Sequence, residues 1–285
     1  MKWTEDRSGN VDDRRGSGGG GGGMLVGGGL GTIIIAAIVF FLGGDPSAIL
    51  SSGASSAPQT EQRQLNQQEL QVREFIQMVT AENEETWTKI FAENNLQYKP
   101  ARVVLFENAT QSGCGTAQSA MGPFYCPADQ TVYMDMSFFS ELQQKFGAKV
   151  TEFTIAYVLG HEMGHHVQNL LGTLDKTNQV RASGRYSEAD VNRVSVATEL
   201  QADYYAGVWA KRTNERESIL EPGDLESAIS AAEAVGDDNI QKRSQGYVNQ
   251  ESFTHGSSAQ RKEWFMKGYN SGDIRQGNTF NQLLK

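Results

Sequence analysis

The sequence predicts an α+β domain, mostly helical with a small antiparallel sheet, behind one transmembrane helix. Three observations carry this expectation. Apolar residues recur at helical spacing over most of the chain after residue 150. Short runs rich in β-branched and aromatic residues, bounded by turn residues, fall between residues 101 and 135. Residues 24–44 carry no charged side chain, and about 20 apolar residues suffice to cross a bilayer as a helix.

The N-terminal part sets the expected topology. Residues 1–23 are polar and end in six consecutive glycines, which reads as a disordered, cytoplasmic tail. Residues 24–44 then read as the anchor and the Ser-, Ala- and Pro-rich residues 45–60 as a linker. A cleaved signal peptide, with small residues near 54–57 at the cut, is the alternative. The polar tail ahead of the apolar run favours the anchor. Lys2, Arg7, Arg14 and Arg15 precede the anchor, and the next basic residue is Arg63. The positive-inside rule then keeps the N-terminus in the cytoplasm and places residues 61–285 outside the cell membrane, in the periplasm or exterior.

Charge and cysteine content narrow the classes further. With 25 Lys+Arg against 34 Asp+Glu the net charge is −9. No basic face is expected to neutralise phosphates, so nucleic acid is excluded as a general partner. Docking on anionic lipid by charge alone is excluded for the same reason. Two cysteines are too few for a disulfide scaffold or a thiolate zinc finger. In an oxidising compartment, however, Cys114 and Cys126 can pair, because the glycines between them let the chain fold back.

Within the domain, Thr60 begins a long helix carrying Leu65, Leu70, Phe75, Met78 and Val79. A break near Thr80 precedes Trp87, Ile90 and Phe91. Strands follow over 101–106, 124–126 and 131–135, the last offering an edge on which an extended peptide can pair. A helix spans 137–146. The next has Thr151 as its N-cap and Gly172 just past its end. Ser187 opens another, Asp224 caps one over 225–235, and Ser257 or Ser258 starts the last.

The chemistry concentrates in the helix after Thr151. Of four histidines, three lie within six residues: His161, His165 and His166. Four residues apart on a helix, His161 and His165 project about 40° from one another, close enough to share one Zn²⁺. Glu162 sits one step round, where its carboxylate can take a proton from a water at the zinc. The pattern His-Glu-x-x-His is that of a zinc peptidase helix. Gly160 and Gly164 each disfavour the helix by about 1 kcal/mol against Ala, and they clear space for another element. His166 points away from the pair.

Zinc needs a third protein ligand. A glycine and third histidine shortly after the motif would mark a metzincin, but Gln168 and Leu171 occupy those positions. Downstream, Glu199 and Asp203 are four apart on one helix face. Glu199 is the ligand candidate, and Asp203 the carboxylate that would orient a ligand imidazole. Ala202 near that face allows close packing. Asp175, in Gly-Thr-Leu-Asp, is the rival third ligand. His255 is a candidate donor to a tetrahedral oxyanion, and Arg261 can pair with Asp203.

Taken together, the Gly-rich tail and single anchor, Cys114 and Cys126, His161-Glu-Met-Gly-His165, Glu199-Leu-Gln-Ala-Asp203 and Phe253-Thr-His-Gly-Ser-Ser258 resemble the bacterial neutral zinc metallopeptidase family, over essentially the whole chain. The resemblance implies a zincin-like domain similar to gluzincins. It further implies that His161, His165 and Glu199 bind zinc and that Glu162 is the general base. The expected function is hydrolysis of a peptide or protein substrate at the membrane. The competing expectation is a non-catalytic, zinc-stabilised envelope scaffold, which four protein ligands around the metal would favour.

Overall fold

The computed structural model describes residues 1–16 and 63–283. Its sheet has four strands: β1 (Val11–Asp13), β2 (Arg102–Phe106), β5 (Phe124–Cys126) and β6 (Thr131–Asp135), in the order β1-β2-β6-β5. The β1–β2 and β2–β6 pairs are parallel and the β5–β6 hairpin is antiparallel, so the sheet is mixed rather than antiparallel as expected. A separate antiparallel hairpin, β3 (Ala109–Ser112) with β4 (Gly115–Gln118), was not foreseen; its polar residues carry no alternation of apolar and polar. The sequence reading also made β6 the edge. It is interior, and β5 is the edge on the hairpin side.

The two faces of the sheet bury different things because side chains alternate along a strand. Val103, Leu105, Tyr125, Val132 and Met134 join the main core. Val104, Phe106, Phe124, Cys126 and Tyr133 form a smaller core with Ala117 of β4. The Cys114–Cys126 disulfide ties the hairpin turn to β5.

Nine helices are described: α1 (Gln67–Glu93), α2 (Ser137–Phe146), α3 (Glu152–Leu170), α4 (Thr173–Ala182), α5 (Glu188–Glu217), α6 (Asp224–Ala234), α7 (Asp237–Gln245), α8 (Ser258–Ser271) and α9 (Phe280–Leu283). α1 is continuous, capped by Asn66 rather than Thr60. Thr80 does not break it; it is buried within the helix and its hydroxyl donates to Ile76 O. Thr151 caps α3, and Gly172 lies past its end at φ 71°. Ser187 caps α5 as read, and of Ser257 and Ser258 it is Ser257 that caps α8. Asp224 is the first residue of α6, not its cap, which is Gly223.

α3 is buried on nearly every side and forms the centre of the helical layer. It crosses α5 where Gly164 faces the backbone of Ala202, so close that a Cβ there would collide with it. α5 in turn packs on α8 through Gly207 and Gly268, each against the partner's backbone. These contacts hold three helices within side-chain reach of one point.

Residues 1–16 are part of the fold, unlike the disordered tail expected there; 17–23, the rest of that expected tail, lie outside the described residues. β1 extends the sheet, Lys2 N–H donates to Ile219 O, and Thr4 donates to Glu82. Arg15 is 6% exposed and paired with Asp13. Arg63 N–H donates to Gly16 O, so the two described segments meet. They pack together as one body. The expected anchor at 24–44 and linker at 45–60 lie outside the described residues. Among the described residues, no helix is long and apolar enough to cross a membrane.

Candidate metal centre

α3 carries His161, Glu162 and His165 into the helical layer, and α5 carries Glu199 and Asp203 against them. Among the described residues, His161, His165 and Glu199 form a group able to hold a metal, with one ligand atom from each within 4.8 Å of the others. All three are buried. Asp175, the rival ligand, is exposed on α4 and does not join the group.

Each imidazole is oriented by its far nitrogen. His161 Nδ1 donates to Asp203 Oδ1 at 2.8 Å, and its Nε2 lies 3.2 Å from Glu199 Oε2. Asp203 is held by more than the histidine. Tyr157 OH donates to Oδ1 at 2.6 Å, while Arg261 donates through Nε to Oδ2 at 2.8 Å and through Nη2 to Oδ1 at 3.0 Å. Burial works against ionising Asp203, but the Arg261 and His161 charges hold its pKa down at about 2.

His165 Nδ1 lies 2.9 Å from Gln168 Oε1. The Gln168 amide nitrogen donates to Thr198 O and Gln201 Oε1, so its oxygen is the atom facing the histidine. Gln201 donates onward to Gly277 O. His165 therefore carries its proton on Nδ1 and presents Nε2 toward Glu199 Oε1, 3.5 Å away.

The donor set fits zinc: two imidazole nitrogens and one carboxylate oxygen, with their outer partners in place. The charges fit as well. Burial disfavours a charged His161, yet the Asp203 and Glu199 carboxylates raise its pKa to about 10, so the cluster draws positive charge. Glu199 is held well below its ordinary range despite burial, by His165 and His161. Glu162 Oε2 is buried and makes no hydrogen bond within the protein. Burial raises the Glu162 pKa, opposed by the two histidines. A buried carboxylate oxygen left in this way is suited to meet a group from outside the chain.

His166, though adjacent, belongs to a closed network. Its Nε2–H donates to Lys99 O at 2.6 Å, and its Nδ1 accepts from Tyr125 OH at 2.9 Å. Burial lowers its pKa to about 4, so it is a neutral structural histidine. His255 lines the same cavity as His161, Glu162 and Glu199. Asp237 at the start of α7 positions it. Asp237 Oδ2 accepts the backbone N–H groups of Thr254, His255 and Gly256, and Oδ1 lies 3.4 Å from His255 Nδ1. Burial opposes protonation of His255, but Asp237 outweighs it and the pKa is raised.

Three contributors escaped the sequence reading: Tyr157, Gln168 and Asp237. Tyr157 and Gln168 carried one available signal. Each sits on the α3 face of the histidines, four residues before His161 and three after His165. Asp237 carried none, because it reaches His255 from 18 positions earlier in the chain.

The family model described as "Putative neutral zinc metallopeptidase" matches residues 1–280. The chain belongs to this family. It is 44% identical over 235 residues to the uncharacterized protein YpfJ of Escherichia coli K12, covering 82% of this chain and 80% of that one. It is 46% identical over 192 residues to the uncharacterized protein Rv2575 of Mycobacterium tuberculosis H37Rv, covering 64% and 63%. No solved structure matches it.

Proposed function

We propose that the protein is a zinc-dependent peptidase in which His161, His165 and Glu199 hold the metal and Glu162 is the general base. One observation carries this reading above the others. The unpartnered Glu162 carboxylate oxygen lies beside the converged donors, and both line a cavity with an apolar wall. A purely structural zinc site would close its coordination with a fourth protein ligand. The group has three members among the described residues, which favours the enzyme over the scaffold.

Zinc, when bound, supplies the Lewis acidity that polarises a peptide carbonyl and makes water nucleophilic near neutral pH. The chain's own residues do the rest. Glu162 accepts the proton of the attacking water; its raised pKa suits a base that must also release that proton to the leaving amine. Asp203 and Gln168 keep the histidine protons on Nδ1 and so direct both Nε2 atoms to the metal. Arg261 and Tyr157 fix Asp203. His255, whose pKa Asp237 raises against burial, donates to the developing oxyanion. The β5 edge can receive an extended peptide.

The test is Glu162→Gln. It is expected to keep about one zinc per chain and the wild-type far-ultraviolet spectrum, while peptide hydrolysis falls by roughly 10²–10⁴-fold. Hydrolysis at the wild-type rate in this variant would remove Glu162 from the chemistry and leave the scaffold as the better account.

A further inference from the structure

The cavity beside the metal donors has a feature that the hydrolytic chemistry does not require. It is about 160 Å³ in volume, close to the roughly 150 Å³ of an apolar cavity that admits benzene. Its polar end is the cluster of His161, Glu162, Glu199, His255 and Arg261. The rest of its wall is mostly apolar and comes from five parts of the fold, the end of α6 with Ala231 and Val235 among them. Met121 and Phe124 lie on the segment entering β5, Phe138 and Leu142 on α2, Val158 on α3 and Ile240 on α7. Glu141 at the lining is already paired with Lys145 one helical turn away. Ser119, the other polar residue of that part, already donates to Asp135.

We infer that this cavity is a subsite for one bulky apolar side chain, aromatic or long aliphatic, next to the scissile peptide bond. The assignment rests on the peptidase reading for its setting and on the cavity for its chemistry. Val158 lies three residues before His161, so the apolar wall and the metal donors are neighbouring positions of one helix. A side chain seated against Val158 therefore holds its own peptide bond at the donor end. The size of the cavity admits a single ring and leaves a methyl group without contacts. A carboxylate or ammonium in it would be desolvated with no partner. The substrate class is thus peptides or unfolded segments with Phe, Leu, Met or a similar residue flanking the cut.

Two measurements test this separately from the peptidase reading. In the first, zinc-free protein is titrated with N-acetyl-phenylalaninamide and with N-acetyl-alaninamide, following the methyl resonances of Met121 and Ile240. The phenylalanine compound is expected to shift both saturably and the alanine compound to shift neither. Equal responses, or none at these methyls, would overturn the subsite. In the second, the zinc-loaded full chain is given peptides that vary one position beside the cut. Phe or Leu is expected to exceed Ala in kcat/KM by about 10–200-fold, with Asp and Lys below Ala. Ile240→Trp, which narrows the cavity from its partly exposed side, should bring the Phe-to-Ala ratio close to one and abolish the methyl shifts of Met121. Cleavage without apolar preference sinks the subsite and spares the peptidase. Saturable binding with no cleavage of any peptide supports the subsite and sinks the peptidase.

Discussion

The candidate metal centre and the N-terminal strand both join residues far apart in the chain, yet they use buried charge in opposite ways. At the centre, Glu162, Glu199 and Asp203 converge with two histidines and Arg261, and one carboxylate oxygen of Glu162 stays without a protein partner. Along the N-terminal strand, polar groups are matched within the protein. Arg15 pairs with Asp13, and Thr4 and Arg216 both serve Glu82. The Met1 nitrogen lies 3.3 Å from both Glu221 and Asp224. A set of charges satisfied within the protein holds structure; a set left incomplete around a cavity is arranged for a ligand.

If that contrast holds, damage to each region should register in a different measurement. The largest effect is expected from removing residues 1–16. Losing β1 opens an edge of β2 and strips partners from buried carboxylates such as Asp224. A cost of about 3–5 kcal/mol follows in denaturant unfolding. Zinc content, measured where the variant is still folded, should remain about one per chain. Unchanged stability would mean that β1 is not integral to the domain.

The reverse pattern is expected for Gln168→Met. It removes the acceptor that keeps the His165 proton on Nδ1, so zinc affinity should fall about 10–100-fold in a chelator competition. Unaltered zinc affinity would show that Gln168 serves packing alone. The smallest effect is expected for Asp237→Asn. The amide oxygen can still receive the three backbone N–H groups, but the charge that raises the His255 pKa is gone. The catalytic rate should drop by about tenfold, with zinc affinity unchanged; a fall in zinc affinity instead would place Asp237 in the metal site.

The centre was far more legible than the strand. His161, Glu162 and His165 are written at i, i+1 and i+4 of one helix, and Glu199 and Asp203 at i and i+4 of another. Helical geometry converts such spacing directly into a shared face. Gly164 announced a close approach, and Ala202 is the residue that makes it. Helix starts at Thr151, Ser187 and Ser257 were legible because a cap is a contact between near neighbours. The cysteine pair was legible from its spacing and glycines.

The strand was not legible, because its pairing is not local. Val11-Asp12-Asp13 has no apolar alternation, and it becomes a strand only because β2 offers an open parallel edge some 90 residues later. The same reason hid the mixed character of the sheet and the exchange of β5 for β6 at its edge. By itself the sequence determined the two helix faces and the caps at Thr151, Ser187 and Ser257, all of which depend on residues within about one helical turn. Only the tertiary structure decided that Asp175 stays outside the group while Glu199 enters it. It also decided that Gln168 and Asp237 orient the histidines, and that residues 1–16 belong to the same body as the centre. Those outcomes depend on which backbones approach one another, and burial of the whole core sets that rather than any one stretch of chain.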